Sequence, residues 1–488
     1  MKNRNRNIAA TLLAAILMGG CGDFLEKEPV SDLTQDKFWK TPNDAEVGVL
    51  AIYNGFSKAL GTGLWNWGEF RGDNFIPLDR GGDDQRELMN NTIQYDNQAA
   101  YWTNLYVTIS RANDAIAHIP DITMTTETKN KLLAEAYTMR AWAYFYCVRV
   151  WGDVPVFLEP VTKDSPDNYR PRTDKTYILE NIILPDLELA YSLMPKPGSS
   201  TEVDMSRANT GLICALLMDV HAWTHNYEAV IRVKEERLNL FASRWRLDPA
   251  VSSVNFATSW RAIFYEGTTS PEVLFKLTYA KLENGDHQGF NNFAGGVPRA
   301  TVADRVCKTT EVFHEGNVDK RYVPGTQWLF NWSWYPDRTR FRYKFWPDDI
   351  YEPEPSSNIK PTEYSDNDLV LYRYADVTLL YAEALNQMDK TDDAVNELNR
   401  TRRRTGLPGY LPSDFTDKEQ LTDAILNERQ REFIGEGKRW FDLVRMNRWR
   451  QVMGPINGMD KEWMLLFPIH RDHLIQNSKI TQNEGYQQ

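Results

Sequence analysis

The stretch GLWNWGEFRGDNFIP, residues 63–77, sets Trp65 and Trp67 a few positions from Arg71, Asp73 and Asn74. Indole rings can cover the C–H face of a sugar while guanidinium, carboxylate and amide groups take its hydroxyls. Binding sites share that combination of apolar wall and a few placed polar groups. A second stretch, TQWLFNWSWYPDRTRFRYKFW at 326–346, carries Trp328, Trp332, Trp334 and Tyr335 among Asn331, Asp337, Arg338 and Arg340. The rings of either stretch could equally be core, since tryptophan is highly buried on average. Both stretches are candidate ligand-binding residues.

Other clusters favour structure over chemistry. In NERQREFIGEGKRWFDLVR, residues Glu428, Arg429, Glu432, Glu436, Arg439, Asp442 and Arg445 recur at three- and four-residue spacings. Glu428 and Glu432 could form a catalytic dyad, but the pattern also describes an ion-paired helix tied by Arg and Asp to its neighbours. Among 67 acidic residues no pair stands out as the two carboxylates a glycoside hydrolase needs. Gly435-Glu436-Gly437-Lys438 is no phosphate loop, because Glu432 and Arg439 occupy the positions where that motif needs Gly and Ser or Thr. His221 and His225 lack the glutamate of a zinc-protease helix, and His470 and His473 have no cysteine near, so no transition metal is expected. Asp83-Asp84 and Asp348-Asp349 fail the EF-hand spacing; structural calcium stays open, because scattered oxygens can also hold it.

Arg400, Arg402, Arg403 and Arg404 end a helical pattern just before Gly406, where cations complement exposed carbonyls. With a net charge of −11, nucleic acid is not an expected partner.

The N-terminus carries a different chemistry. Lys2, Arg4 and Arg6 precede an uncharged apolar run, Ile8 to Gly20, which stops at Cys21 before acidic residues begin. That order describes a secretory signal, too short to span a membrane. Loss of residues 1–20 would move the net charge to about −14. Cys147, Cys214 and Cys307 remain, an odd number without paired spacing, read as free thiols.

The elements that must position these residues are mainly helical. Residues 42–60 begin at Pro42-Asn43-Asp44, and 101–119 have helical spacing. Between 130 and 151, Leu133, Ala136, Tyr137, Arg140, Tyr144, Cys147, Val148 and Trp151 form one stripe, ended by Gly152 and Pro155. Further helices are expected near 175–194, 207–225, 227–240, 369–389, 391–405 and 418–448. Long helices in close succession suggest stacked hairpins of the tetratricopeptide kind. Between about 241 and 368 the character changes. SPEVLFKLTYA (270–280) alternates like a strand, Asn284-Gly285 reads as a turn, and the rest is rich in Gly, Pro, Asn and aromatics.

LMGGC (17–21) resembles a bacterial lipobox, in which cleavage falls before the cysteine and the cysteine is lipidated. CGDFLEKEP, YWTNLYVTISRANDAI, AEAYTMRAWAYFYCVRVWGDVPV, DLELAYSLMP, LYRYADVTLLYAEALNQ, AVNELNRTRRRTGL, NERQREFIGEGKRWFDLVRMNRW and LLFPIHRDHLIQNSKITQNEGY follow in order. Together they resemble the SusD/RagB lipoproteins of Bacteroidetes. The resemblance implies a signal peptide at 1–20, a lipidated tether at 21–40, and a helical domain at 41–488. That domain would stack helix pairs like tetratricopeptide repeats, with a variable loop-and-short-strand portion at about 241–368 forming the ligand face. It implies an outer-membrane, surface-exposed, non-enzymatic protein, without cofactor, that binds a nutrient glycan and hands it to a SusC-like TonB-dependent transporter. An oligopeptide cargo is the alternative. It also implies that a stretch near 63–77 contributes to the ligand face.

Overall fold

The computed structural model describes residues 38–77, 82–161, 165–197, 204–249, 269–278 and 368–486, with short pieces between 249 and 368. Cys21, Cys307, the turn at 284–285, Trp328, Trp334 and Tyr335 lie outside the described residues.

Thr41 opens the first long helix, α1 (Pro42–Gly68). Its hydroxyl accepts from the Asp44 amide at 3.2 Å while the Asp44 carboxylate accepts from the Thr41 amide at 2.7 Å. This reciprocal cap satisfies two amides that have no partner inside the helix. α1 runs a turn or two past the expected end at 60, up to the glycine at its close approach to a distant loop described below. After it come α2 (Asp83–Asn90), α3 (Thr103–His118) and α4 (Thr126–Trp151). From Thr138 to Trp151 every residue of α4 is buried, so the expected stripe widens into a helix surrounded by core. Gly152 ends it at φ 76°, a conformation glycine adopts without steric cost.

The helix expected at 175–194 passes through a π-turn at Leu179–Ile183 before α5 (Leu184–Leu193). Pro185 lacks the amide that would continue the ladder, and the chain widens just before it. α6 (Thr210–Trp223) and α7 (Tyr227–Arg232) follow, then α8 (Tyr374–Gln387), α9 (Thr391–Arg404), α10 (Lys418–Phe433), α11 (Arg439–Arg445), α12 (Trp449–Asn457) and α13 (Arg471–Gln476). Packing follows chain order: α1 on α3, α3 on α4, α4 on α5, α5 on α6, α6 on α7, and α8 on α9 and α10. Each hairpin buries the apolar stripe its predecessor leaves open, which is how helical repeats build a continuous core. The fold is therefore mainly α, with stacked pairs resembling tetratricopeptide repeats. No described helix is long and apolar enough to cross a membrane.

Two expected helices are interrupted. The run 369–389 divides into β6 (Leu369–Arg373) and α8 without a loop between them. Both elements are buried on all sides, so their apolar runs carry no period that would separate strand from helix. The run 418–448 breaks between α10 and α11, where Gly435 and Gly437 take φ 82° and 71°.

Strand β2 (Val273–Leu277), expected from its alternation, pairs antiparallel with β6 from Val273↔Arg373 to Leu277↔Leu369. All five residues of each strand are buried. The chain between them, 278–368, thus leaves and returns at a single rung. Within that interval β3 (Ala300–Val302) pairs with β1 (Phe75–Pro77), and β4 (Phe330–Trp332) pairs with β5 (Thr339–Phe341). β3 also lies against β5.

Candidate functional site

The first aromatic stretch is interior, which corrects the expectation that it forms a ligand face. Trp65, Trp67, Arg71, Asp73 and Asn74 are all at most 4% exposed. Trp65 Nε1 donates to the Gly435 carbonyl at 3.0 Å and Trp67 Nε1 to the Ala99 carbonyl at 2.8 Å. Arg71 lies over the Trp440 ring at 4.2 Å, donates to Asn91 Oδ1 at 2.9 Å and to the Leu465 carbonyl at 2.8 Å, and also reaches the Met464 carbonyl. Asp73 takes a two-pronged bond from Arg439 at 2.7 and 3.0 Å. Asn74 donates to Glu69 at 2.7 Å and accepts from Gln430 at 2.8 Å, while Glu69 accepts the Gly435 and Gly437 amides at 3.0 Å each. A Cβ on Gly68 would stand 2.0 Å from the Gly437 carbonyl oxygen, so the two backbones meet directly. This end of α1 is a joint that locks onto the α10–α11 break.

The charged motif beside it is structural throughout. Arg373 contacts Glu272 at 2.9 Å, Glu432 at 2.7 Å and Glu436 at 2.9 Å. Arg404 adds Glu272 at 2.6 Å and reaches Glu432. Arg429 bridges Asp376 at 2.7 Å and Asp442 at 2.9 Å, and Arg445 holds Glu383 and Asp442 at 2.8 Å each. Burial alone would raise the Glu272 carboxyl, but Arg404 and Arg373 outweigh it and hold it below the usual range. Glu428 and Glu432 therefore face arginines and not a cleft. Two of the four arginines of the basic run are buried, Arg404 in this centre and Arg402 facing Glu428 at 3.6 Å. His225 Nε2 lies 3.0 Å from the Arg445 carbonyl, and burial pushes His221 down to about 4. Among the described residues no group of acidic, His or Cys side chains could hold a metal.

What reaches the surface here is the continuation of the stretch. β1 follows Asn74, exposes Ile76 and carries β3, which leads through β5 to β4. The β4–β5 pair that contains Trp332 thereby lies against the β1–β3 pair that follows Asn74, as a separate two-stranded sheet. α2 packs on β1 and in turn holds the loop before α3, where Asn97 Nδ2 donates to Glu87 at 2.8 Å and to the Asp84 carbonyl at 3.2 Å.

That loop ends in Tyr101, half-buried, with its ring stacked on His470 at 3.6 Å between centroids and its hydroxyl donating to Asp472. This bond comes first among the causes that raise the Tyr101 phenol and lower the Asp472 carboxyl, so a neutral phenol meets a carboxylate. The same short stretch exposes Asp96, Gln98, Thr103 and Asn104. A backed aromatic ring with amides, a hydroxyl and carboxylates around it is the arrangement sought at Trp65, found instead some 35 residues on. The helical spacing of 101–119 puts Tyr101 at the head of a helix, whereas the helix starts at Thr103 and leaves Tyr101 in the loop. The run of polar residues before it, NTIQYDNQAAYW at 91–102, is the signal that marks a shaped loop.

Stacked helical hairpins with loops and short strands gathered beside one joint define a helical-repeat binding scaffold. Residues 23–215 match a family model described as "Starch-binding associating with outer membrane", and residues 300–486 match that of the SusD family. "SusD-like protein P38" of Formosa agariphila is 32% identical over 99% of this chain and 99% of its own length, and "SusD-like protein P2" of the same organism is 24% identical over 97% and 98%. A solved SusD homolog from Bacteroides thetaiotaomicron superposes with a TM-score of 0.73 at 26% identity, covering 92% of this chain and 99% of that one. "B. fragilis NanU" gives 0.72 at 21% identity over 94% and 100%. The chain belongs to the SusD family.

Proposed function

We propose that this protein binds a nutrient glycan at the outer membrane and passes it to a partner TonB-dependent transporter without making or breaking a bond. Lipidation of Cys21 would hold it at the cell exterior; several acyl chains, at about 0.8 kcal/mol per buried methylene, anchor stably where one would not. The observation that carries the reading is the Tyr101 platform: a backed ring in a rim of hydrogen-bonding groups, on a loop tied through α2 to the strand that carries β3. Trp328, Trp332, Trp334 and Tyr335 are further ligand-binding residues in this proposal. The family description, with its starch binding and outer-membrane association, supports the cargo class and the location.

The test is affinity electrophoresis of the protein against a panel of polysaccharides, with oligosaccharides and peptides titrated in parallel. Retardation by one glycan, lost in Tyr101→Ala and in Trp334→Ala, is the expected result. A response to peptides and to no glycan would overturn the cargo. Metabolic labelling with a radioactive fatty acid, abolished by Cys21→Ala, checks the anchor.

A further inference from the structure

The ring of Tyr101 and that of its neighbour Trp102 each rest on a histidine from the start of α13. Tyr101 stacks on His470, and Trp102 on His473 at 4.8 Å with planes 15° apart. Both histidines also act as acceptors. The Trp102 amide donates to His473 Nε2 at 3.4 Å, and the Asp472 amide donates to His470 Nδ1 at 3.0 Å, which makes His470 the cap of α13. Asp472 then holds the Tyr101 hydroxyl, and the Arg471 amide donates to the Tyr95 carbonyl at 2.8 Å. Four consecutive residues, His470 to His473, thus grip the whole loop that carries the platform. An imidazole accepts a hydrogen bond only at an unprotonated nitrogen, so the Trp102 bond to His473 exists only while that ring is neutral.

Resting on the glycan-binding reading above, we propose that His473 is a positioning residue that presents Tyr101 to the ligand and releases the platform when protonated. The groups facing His470 are Asp472, Arg471, Asp96, Tyr101 and His473; those facing His473 are His470, Asp472 and Tyr101. Burial is the largest influence on both and lowers them, His473 to about 4 from an ordinary 6.5. A histidine lowered in the closed state and ordinary in the open one binds more protons when open. Opening therefore becomes easier as pH falls from 6.5 towards 4, and the grip is complete above 6.5. For His473 alone the opening constant rises roughly twentyfold between pH 7 and pH 5.

The experiment is amide hydrogen exchange at Trp102 in the full chain, corrected for the intrinsic pH dependence of exchange. The expected result is a rise in opening of roughly twentyfold from pH 7 to pH 5. In His473→Gln, whose side-chain oxygen accepts the same amide without titrating, the rise disappears. His473→Leu, with no acceptor, opens more at both pH values and weakens affinity for the retarding glycan severalfold, and His473→Gln restores most of that affinity. An opening constant flat in pH, or a rise that survives in His473→Gln, would overturn the proposal. If no glycan binds at all, the cargo reading falls, while the exchange measurement still judges the positioning role on its own.

Discussion

Two regions of this molecule use the same side chains for opposite ends. At 65–74, tryptophans sit beside arginine, aspartate and asparagine, and every one is interior. At 96–104, a tyrosine sits beside aspartate, glutamine and asparagine, and much of that group faces solvent. The difference lies in where the polar atoms find partners. Asp73, Asn74 and Arg71 are satisfied by Arg439, Gln430, Asn91 and backbone carbonyls from Met464 and Leu465, so nothing is left to offer a ligand. Around Tyr101 one carboxylate and two histidines fix the ring, and most of the remaining polar groups stay in water. A buried polar cluster specifies a joint, and a half-satisfied one at the surface specifies a site.

This contrast can be broken by substitution. The largest effect is expected at the ion-pair centre behind the joint. Arg373→Met leaves Glu272, Glu432 and Glu436 short of a cation in a dry interior, which costs about 3–5 kcal/mol. Chemical denaturation should show the loss, and an unchanged midpoint would mean that the network is ornamental. Asp73→Ala strands Arg439 and is expected to cost about 3 kcal/mol while leaving glycan affinity unaltered in the folded fraction. At the surface the pattern inverts. Tyr101→Ala should lower glycan affinity by about 2 kcal/mol, roughly thirtyfold, with little change in melting temperature. The smallest effect belongs to Trp65→Phe, which removes one buried bond to the Gly435 carbonyl for about 1 kcal/mol. Loss of glycan binding in a folded Trp65→Phe protein would erase the distinction between the two regions.

Much of the scaffold was legible because helix signals are local. The Pro42-Asn43-Asp44 start, the stripe through α4 and its glycine end, and the β2 alternation all stand in the structure close to where the sequence puts them. The ion-paired reading of 428–445 was legible as a charge pattern, although most of its partners, Arg373, Arg404, Asp376 and Glu383, stand on other elements. What the sequence hid is non-local. The bonds that make Trp65 and Asp73 interior come from residues some 370 positions away, and no window of sequence contains both partners. The β6–α8 boundary was hidden because both elements are buried on every side. Tyr101 was hidden because it heads a helical pattern and became part of it.

The neck made by β2 and β6 has a consequence for how such a chain can change. Leu277 and Leu369 are rung partners, so the 91 residues between them start and finish one strand spacing apart. For a flexible loop closed on such a rung, doubling the length costs only about 0.6 kcal/mol in closure entropy, small against the stability of a packed helical stack. The arginine centre stands at the other end of the strand pair, at Arg373 and Glu272, and β1 holds the excursion at β3. Between those two holds, length can change at little entropic cost, as a tool head is changed on a fixed shaft.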